Sequence, residues 1–343
     1  MTLAECVLPG HPDKLCDAIA DRIVDLACAR EPRAMVGVEV AVHRETVFIT
    51  GCVATNPPLT ALNLEDCARA AFRAAGFSAM VLPDPEHLRV VTDVRLGPLD
   101  ADTSALRSLS DDQAICIGWA GGRAEDRWLP FAHRAAWLAA DALRTLGAPY
   151  GLGPDGKVIV QSEGGAITRM SLSIQHAPGV DRTALFVIAR QVAAAAGLLD
   201  LDRVSVNAGG DFDVGGPHGD NGLSGKKLVV DAYGPSVAIG GGAWSGKDPH
   251  KVDRLGGLRA RELALRAVSR GIAKEAVVSL GWFPGDREPS VVTLRMDGRD
   301  APLRLLGPAD LTIDGTWREL RLGERTYAPL AARAAWFQGA ADS

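Results

Sequence analysis

Seven of the 37 basic residues of this 343-residue chain are lysine, and six of the seven lie in four short glycine-bearing segments. They are Lys14 in GHPDK, Lys157 in GPDGK, Lys226 and Lys227 in GDNGLSGKK, and Lys247 and Lys251 in GGGAWSGKDPHK. The other 30 cations are arginine. Lysine is thus kept where a compact ammonium on a thin stem stands beside backbone that can approach a ligand closely. Polyphosphate asks for that combination, several point charges together with exposed backbone N–H groups. The competing reading is chance clustering in polar turns.

One of these segments, GGAWSGK at 241–247, fits the GxxxxGK spacing of a phosphate-binding P-loop. The next residue is Asp248, where such a loop places Ser or Thr to ligate magnesium. An acid there repels phosphate, so a P-loop NTPase is disfavoured.

The elements that must position these loops follow from periodicity. After GHPDK, Leu15, Ile19, Ile23 and Leu26 recur at helical spacing, with Asp17, Asp21, Arg22 and Asp25 on the other face and Asp13 as the expected N-cap. Val36, Val38, Val40 and Val42 alternate with Gly37, Glu39 and Ala41, which predicts a strand, returned by a second over 46–55. A helix over 60–76 and a strand over 88–94 complete a first α/β unit. The pattern predicts a helix over 130–146, ended by Gly147 and Pro149, then strands over 157–161 and 167–174, a helix over 181–196 and a strand over 203–207. A third unit takes a strand over 227–233, a helix over 250–270 and strands over 276–280 and 290–295. The glycine-rich segments fall between elements, where ligand-binding loops belong. Residues 322–343 carry little signal.

Composition narrows the class. Hydrophobic content of 47% with 23% charged residues is that of a globular chain. A net charge of −5 argues against nucleic acid, whose binding needs a basic face. No run of about 18–20 apolar residues is present to span a membrane, and the first residues, MTLAECVLPGHPDK, do not read as a signal peptide. Cys6, Cys16, Cys28, Cys52, Cys67 and Cys116 include no CxxC pair and read as small hydrophobes of a reducing compartment. A cytoplasmic protein is expected.

Taken in order, GHPDK with its following acidic helix, Glu39, AHR at 132–134, PDGK at 154–157, SIQH at 173–176, GGPHGDNGLSGKK and GGGAWSGKDPHKVDR resemble the S-adenosylmethionine synthetases, also called methionine adenosyltransferases. The likeness spans roughly residues 5 to 295. It implies an α/β (α+β) fold of three intertwined, pseudo-threefold-related domains, expected near 1–125, 126–225 and 226–343 with segments interleaved, and a homodimer or higher oligomer whose site is shared between subunits. It also implies a reaction in which a thioether sulfur attacks C5′ of ATP and displaces the triphosphate, which is then cleaved to pyrophosphate and phosphate. A neutral thioether has no proton to lose, so catalysis must come from alignment and from stabilising the leaving charge.

Carried over on this resemblance, His11 would stabilise the departing oxygen, Asp13 and Asp253 would hold two magnesium ions, and Lys157, Lys227 and Lys247 would grip the triphosphate. Lys14, Asp155, Asp211, Phe212, Asp220, Lys226 and Ala243 join the ATP-binding set, with Phe212 stacking on adenine. Lys251 and Asp220 would lie near the methionine end, and Glu39 would belong to a potassium site. A solvent-facing strand position for Glu39 and plain core packing for Phe212 remain open beside these roles.

The departures from the family cluster. The acid that would hold the methionine ammonium is Cys52, the glutamine beside it is Leu96, and an isoleucine near the sulfur is Trp282. One phosphate arginine is Lys226, the arginine beside Phe212 is Asp211, and the chain ends WFQGAADS. The acceptor end is therefore expected to be rebuilt and more apolar, with Asp112 or Asp220 the only substitute acids. The leading function is an ATP-dependent adenosyltransferase making S-adenosylmethionine. The alternatives are a paralogue serving a less polar nucleophile and a non-catalytic ATP-binding regulator.

Overall fold

A computed structural model describes residues 1–147 and 150–338. Pro149 and the last five residues lie outside the described residues. The chain repeats one order of elements three times. The first copy is β1 (Thr2–Val7), α1 (Pro12–Arg30), β2 (Met35–His43), β3 (Thr46–Ala54), α2 (Ala61–Ala75) and β4 (Arg89–Gly97). A short α3 (Ala101–Leu106) leads to the second: β5 (Ala114–Gly121), α4 (Phe131–Gly147), β6 (Gly156–Glu163), β7 (Ala166–Ile174), α5 (Arg182–Ala195) and β8 (Val204–Val206). The third is β9 (Gly222–Leu223), a one-turn α6 (Leu228–Asp231), α7 (Val252–Ser269), β10 (Glu275–Trp282), β11 (Val291–Met296) and β12 (Arg299–Asp300). Its second helix is replaced by a two-residue turn, Asp297 and Gly298, both at positive φ as a tight hairpin requires. The chain closes with α8 (Ile313–Glu319) and α9 (Ala328–Ala332).

The three four-stranded sheets run β4-β3-β2-β9, β8-β7-β6-β1 and β12-β11-β10-β5. Each hairpin is central, and each copy lends its first strand elsewhere: β1 to β6, β5 to β10 and β9 to β2, all antiparallel. The exchange is cyclic and gives the chain an internal pseudo-threefold order. The helix after each lent strand covers a different sheet, α1 on β2 and β9, α4 on β1 and β6, and α7 on β5 and β10. The loop in front of each of these helices therefore crosses from one sheet to the next. The GHPDK and GGGAWSGKDPHK segments are two of those three crossings.

Strand alternation holds where expected. Val36, Val38, Val40 and Val42 are buried under α1, and Glu39 is exposed on the outer face. Two expectations are corrected, the N-cap of α1 and the segment after Lys227, and the acidic face of α1 gains a setting. The N-cap of α1 is His11 rather than Asp13, because Pro12 takes the first helical position and the His11 side chain accepts the Asp13 N–H. The acidic face of α1 does not meet solvent, since Asp17 and Asp21 are fully buried. The segment after Lys227 is the turn of α6 rather than a strand; it aims Asp231 at buried Lys14, and that pairing outweighs the local β propensity of Leu-Val-Val.

The tail also does more than its sequence suggests. Tyr327, Trp336 and Phe337 are all buried, with the Arg254 guanidinium 4.2 Å from the Tyr327 ring centre and Phe337 stacked on Tyr233 at 5.3 Å.

Candidate active site

Four acids spaced four apart on α1 moor the loops. Asp13 accepts Leu223 N–H at 3.0 Å, Asp17 accepts Gly225 N–H at 2.8 Å, Asp21 accepts Gly246 N–H at 2.9 Å, and Asp25 takes the N–H groups of Tyr327 and Ala328. The helical period places them in one row, so a single helix holds both lysine loops and the C-terminal segment. The buried charges are paired. Lys14 meets Asp17 at 3.0 Å and Asp231 at 2.5 Å, and Arg254 meets Asp21. Burial pushes Asp21 up to about 6 and Asp231 up to about 7.

The first pole of the site stands at the start of α1. Lys227 Nζ lies 2.6 Å from Asp13 Oδ2, and Lys226 Nζ lies 3.8 Å from Asp13 Oδ1. His11 Nδ1 accepts the Asp13 N–H at 3.2 Å, which leaves Nε2 to carry the ring hydrogen. Burial, with Lys227 and then Lys157 adding repulsion, pushes the His11 pKa down to about 4, so the ring is neutral at pH 7. Lys157 projects from β6, and Asp220 also acts on the His11 proton.

The second pole stands at the start of α7. Lys247 pairs with Asp253, and Lys251 with Asp111. Gly242 comes so close to Asp253 that an added Cβ would lie 1.9 Å from Oδ1, and Gly225 would meet Ala243 in the same way at 2.7 Å. The two glycine loops thus touch at Ala243. Gly37 forms a bridge with Lys247, and Val38 N–H reaches Gly246 O at 2.9 Å, which lays this loop along β2. Asp248 is fully buried and accepts Val36 N–H, His250 N–H and Arg107. It anchors the loop and has no phosphate to meet, so the P-loop spacing is accidental.

One expected ligand contact, that of Lys14, is corrected, and the surroundings of three others are defined. The Lys14 ammonium is fully buried between two carboxylates and is not free to reach phosphate. Asp155 turns inward to Gly216 N–H at 2.8 Å and is pushed up to about 6 by burial; it shapes the loop that carries Phe212. Asp211 is exposed and paired with Arg182 at 2.8 Å. Phe212 is half-buried, its backbone exchanging hydrogen bonds with His176. Beside it an open cleft of about 290 Å³ lies between Met80–Leu82 and Asp213–Gly215.

The expected apolar acceptor pocket does not assemble. Cys52 pairs with Gly37 on the outer face of its sheet, whereas Leu96 pairs with buried Val53 and packs into the core from the inner face. Trp282 is 3% exposed and fills the space that Gly256 leaves on α7. Asp112 is exposed and folds its carboxylate onto Gln113 N–H, while Asp220 belongs to the first pole. The acid that pairs with Lys251 is Asp111, which sequence reasoning missed because nothing in a DD pair says which member takes the long-range partner.

Among the described residues no group of three or more His, Cys, Asp or Glu side chains could hold a metal on its own. Asp13 and Asp253 each offer one carboxylate, now held by a lysine. That suits a magnesium ion completing its shell with phosphate oxygens and water. Glu39 accepts Ser224 Oγ at 2.6 Å and faces Thr50, with Asp93 one strand further along the same row.

Fold and site together define a three-sheet α/β enzyme whose glycine-rich loops present lysines opposite single carboxylates. The chain belongs to the S-adenosylmethionine synthetase family. Residues 1–95 match the model of the N-terminal domain of S-adenosylmethionine synthetase, and residues 214–338 match that of the C-terminal domain. The S-adenosylmethionine synthase 1 of Rhodospirillum rubrum is 36% identical over 316 residues, covering 87% of this chain and 81% of that protein. The S-adenosylmethionine synthase of Zymomonas mobilis is 33% identical over 358 residues, 96% and 90% of the two chains. An unusual S-adenosylmethionine synthetase from Campylobacter jejuni superposes with a TM-score of 0.87 at 26% identity, over 98% of this chain and 94% of that one.

Proposed function

We propose that this chain makes S-adenosylmethionine from ATP and methionine. The observation that carries the reading is the pairing of Asp13 with Lys227 beside a neutral His11, and of Asp253 with Lys247 in the glycine loop that touches the Lys227 loop at Ala243. The methionine sulfur forms a bond to C5′ while the C5′–O bond breaks, and the triphosphate leaves with the electron pair. Water then cleaves it to pyrophosphate and phosphate. His11 donates its Nε2 hydrogen to the oxygen that departs from C5′. Lys157, Lys226, Lys227 and Lys247 meet the phosphate oxygens, the last two leaving their carboxylates as they do. Asp13 and Asp253 would each hold one magnesium ion, and the two ions would supply charge neutralisation of the triphosphate. Phe212, beside its cleft, stacks on adenine, and Glu39 takes a potassium ion.

The outer face of the first sheet supports a homodimer. Val91, Phe48, Ala41 and Leu223 form one apolar row across all four strands, next to the row that carries Glu39. Phe48 and Leu223 are exposed. A second copy covers that row and brings its own loops to the site. The six unpaired cysteines suit a reducing cytoplasm.

The test uses ATP labelled with oxygen-18 at the C5′ bridging position, with methionine and magnesium, and with or without potassium. The adenosyl sulfonium should appear by mass spectrometry, the label should leave with the phosphate chain, potassium should raise the rate, and the protein should sediment as a dimer. ADP as the main product would overturn the reading.

A further inference from the structure

We propose that Phe337 is a positioning residue for the triphosphate, a wedge that fixes the spacing between the loop of Lys227 and the loop of Lys247. The inference rests on the adenosyl-transfer reading above and assigns part of its phosphate grip to the far end of the chain.

Phe337 touches both loops from behind. Its ring stacks on Tyr233 with centres 5.3 Å apart and planes 14° apart, and meets Trp244 edge-on at 5.3 Å and 69°. Tyr233 follows the single turn of α6, whose N-cap is Lys227. Trp244 stands three residues before Lys247, and the Lys247 N–H reaches its carbonyl at 3.3 Å. One buried ring therefore separates the two segments that carry the lysines.

Both neighbours of the wedge are fixed. Tyr233 is fully buried. Trp244 lies against α7, where a Cβ added at Gly257 would come within 2.8 Å of its Nε1, and Trp336 meets it edge-on at 5.4 Å. The Trp244 carbonyl accepts Arg254 Nε at 3.0 Å and Nη2 at 2.6 Å, and that guanidinium lies over the rings of Tyr327 and Trp336. The segment that carries Phe337 is held from the opposite side by α4. Gln338 Oε1 accepts Arg134 at 2.7 Å, and the Arg333 carbonyl accepts Trp137 Nε1 at 2.9 Å. In a close-packed interior a ring held between fixed faces sets their separation, because neither face can close on it and it cannot back away.

The triphosphate bridges the same two loops, with Lys226 and Lys227 on one side and Lys247 on the other. A grip made at several points depends steeply on the distance between them. A smaller residue at position 337 removes the spacer while every lysine stays in place, so phosphate binding weakens through geometry alone.

The experiment measures binding of tripolyphosphate with magnesium by titration calorimetry in wild type, Phe337→Leu, Phe337→Ala and Ile188→Ala. Ile188 is buried on α5, which packs against α4, β7 and β8, so its variant loses core packing away from both lysine loops. Phe337→Leu should weaken binding roughly 10-fold and raise KM for ATP alike, with Phe337→Ala weaker still. KM for methionine should stay within about twofold, and Ile188→Ala should bind tripolyphosphate as wild type does. Trp244→Leu should lose affinity like Phe337→Leu, and the double variant should lose little more than either, because both break one contact. Wild-type affinity in Phe337→Leu, an equal loss in Ile188→Ala, or additive losses in the double variant would overturn the inference. Failure of the parent reading is distinct: wild type would form no adenosyl sulfonium from ATP and methionine, whatever its affinity for tripolyphosphate.

Discussion

Asp13 and Asp253 occupy the same place in two copies of one repeat. Each is the second residue of the helix that follows a lent strand, α1 for the first and α7 for the second, and each carboxylate takes a lysine ammonium from a glycine-rich loop. Helix N-termini favour negative charge, and both acids stand in the first turn, where that field is strongest. The remaining copy, the second along the chain, has Ala132 at the corresponding position of α4. The internal order of the chain thus presents three such positions, of which two are charged.

That symmetry makes the two acids comparable in effect. Asp13→Asn and Asp253→Asn should each lower kcat/KM for ATP by on the order of 100-fold and raise the magnesium concentration needed for half-maximal rate. Chelation of magnesium should abolish turnover in wild type. Steady-state rates across a magnesium titration decide this, and a wild-type response in either variant would show that the acid does not serve the metal.

His11 should be neutral over the working range of the protein. Its pKa is pushed down to about 4 from an ordinary 6.5. The folded state therefore binds fewer protons than the unfolded state between those values. Its contribution to stability is complete above pH 6.5 and declines as the pH falls toward 4. A proton NMR titration of the ligand-free protein should show the His11 ring unchanged from pH 8 to 5.5; a midpoint near 6.5 would contradict the assigned environment. His11→Asn should cost on the order of 100-fold in kcat if the Nε2 hydrogen stabilises the leaving oxygen.

Breaking the buried pair of Asp21 and Arg254 should act on both stability and substrate binding. Both side chains are fully buried, and Asp21 also tethers Gly246 in the lysine loop. Asp21→Asn leaves the guanidinium uncompensated and should cost about 3–5 kcal/mol in denaturant unfolding. The loosened loop should also raise KM for ATP. Unfolding within about 0.5 kcal/mol of wild type, the range of an ordinary surface substitution, would mean that the pair is not needed to hold the loop.

The lysine-bearing loops, the hairpins and the long helices were legible because each rests on local signals: glycine beside lysine, valine at every second position, apolar residues at helical spacing. Three other features were not. In Leu-Val-Val after Lys227 the residue types favour a strand, yet a long-range ion pair between Asp231 and Lys14 sets the turn. Cys52, Leu96 and Trp282 suggest one pocket by residue type alone. Strand parity put the first two on opposite faces, and core packing took the third. The buried aromatics of the tail have partners on Arg254 and Tyr233, far away in sequence.

The sequence by itself determined the chemistry that the molecule can do, because ligand-facing residues are chosen for their own functional groups and stay recognisable wherever the backbone takes them. It determined the long helices and the central hairpins for the same reason: periodicity is a property of the local chain. Only the tertiary structure decided which charges face a ligand and which neutralise one another. Lys14 and Lys227 are both lysines near an aspartate of α1, but one lies fully buried between two acids and the other stays partly exposed at the helix start. That difference is one of desolvation and geometry, set by the cyclic exchange of strands that brings three distant loops to one helix, and no local pattern of residues encodes it.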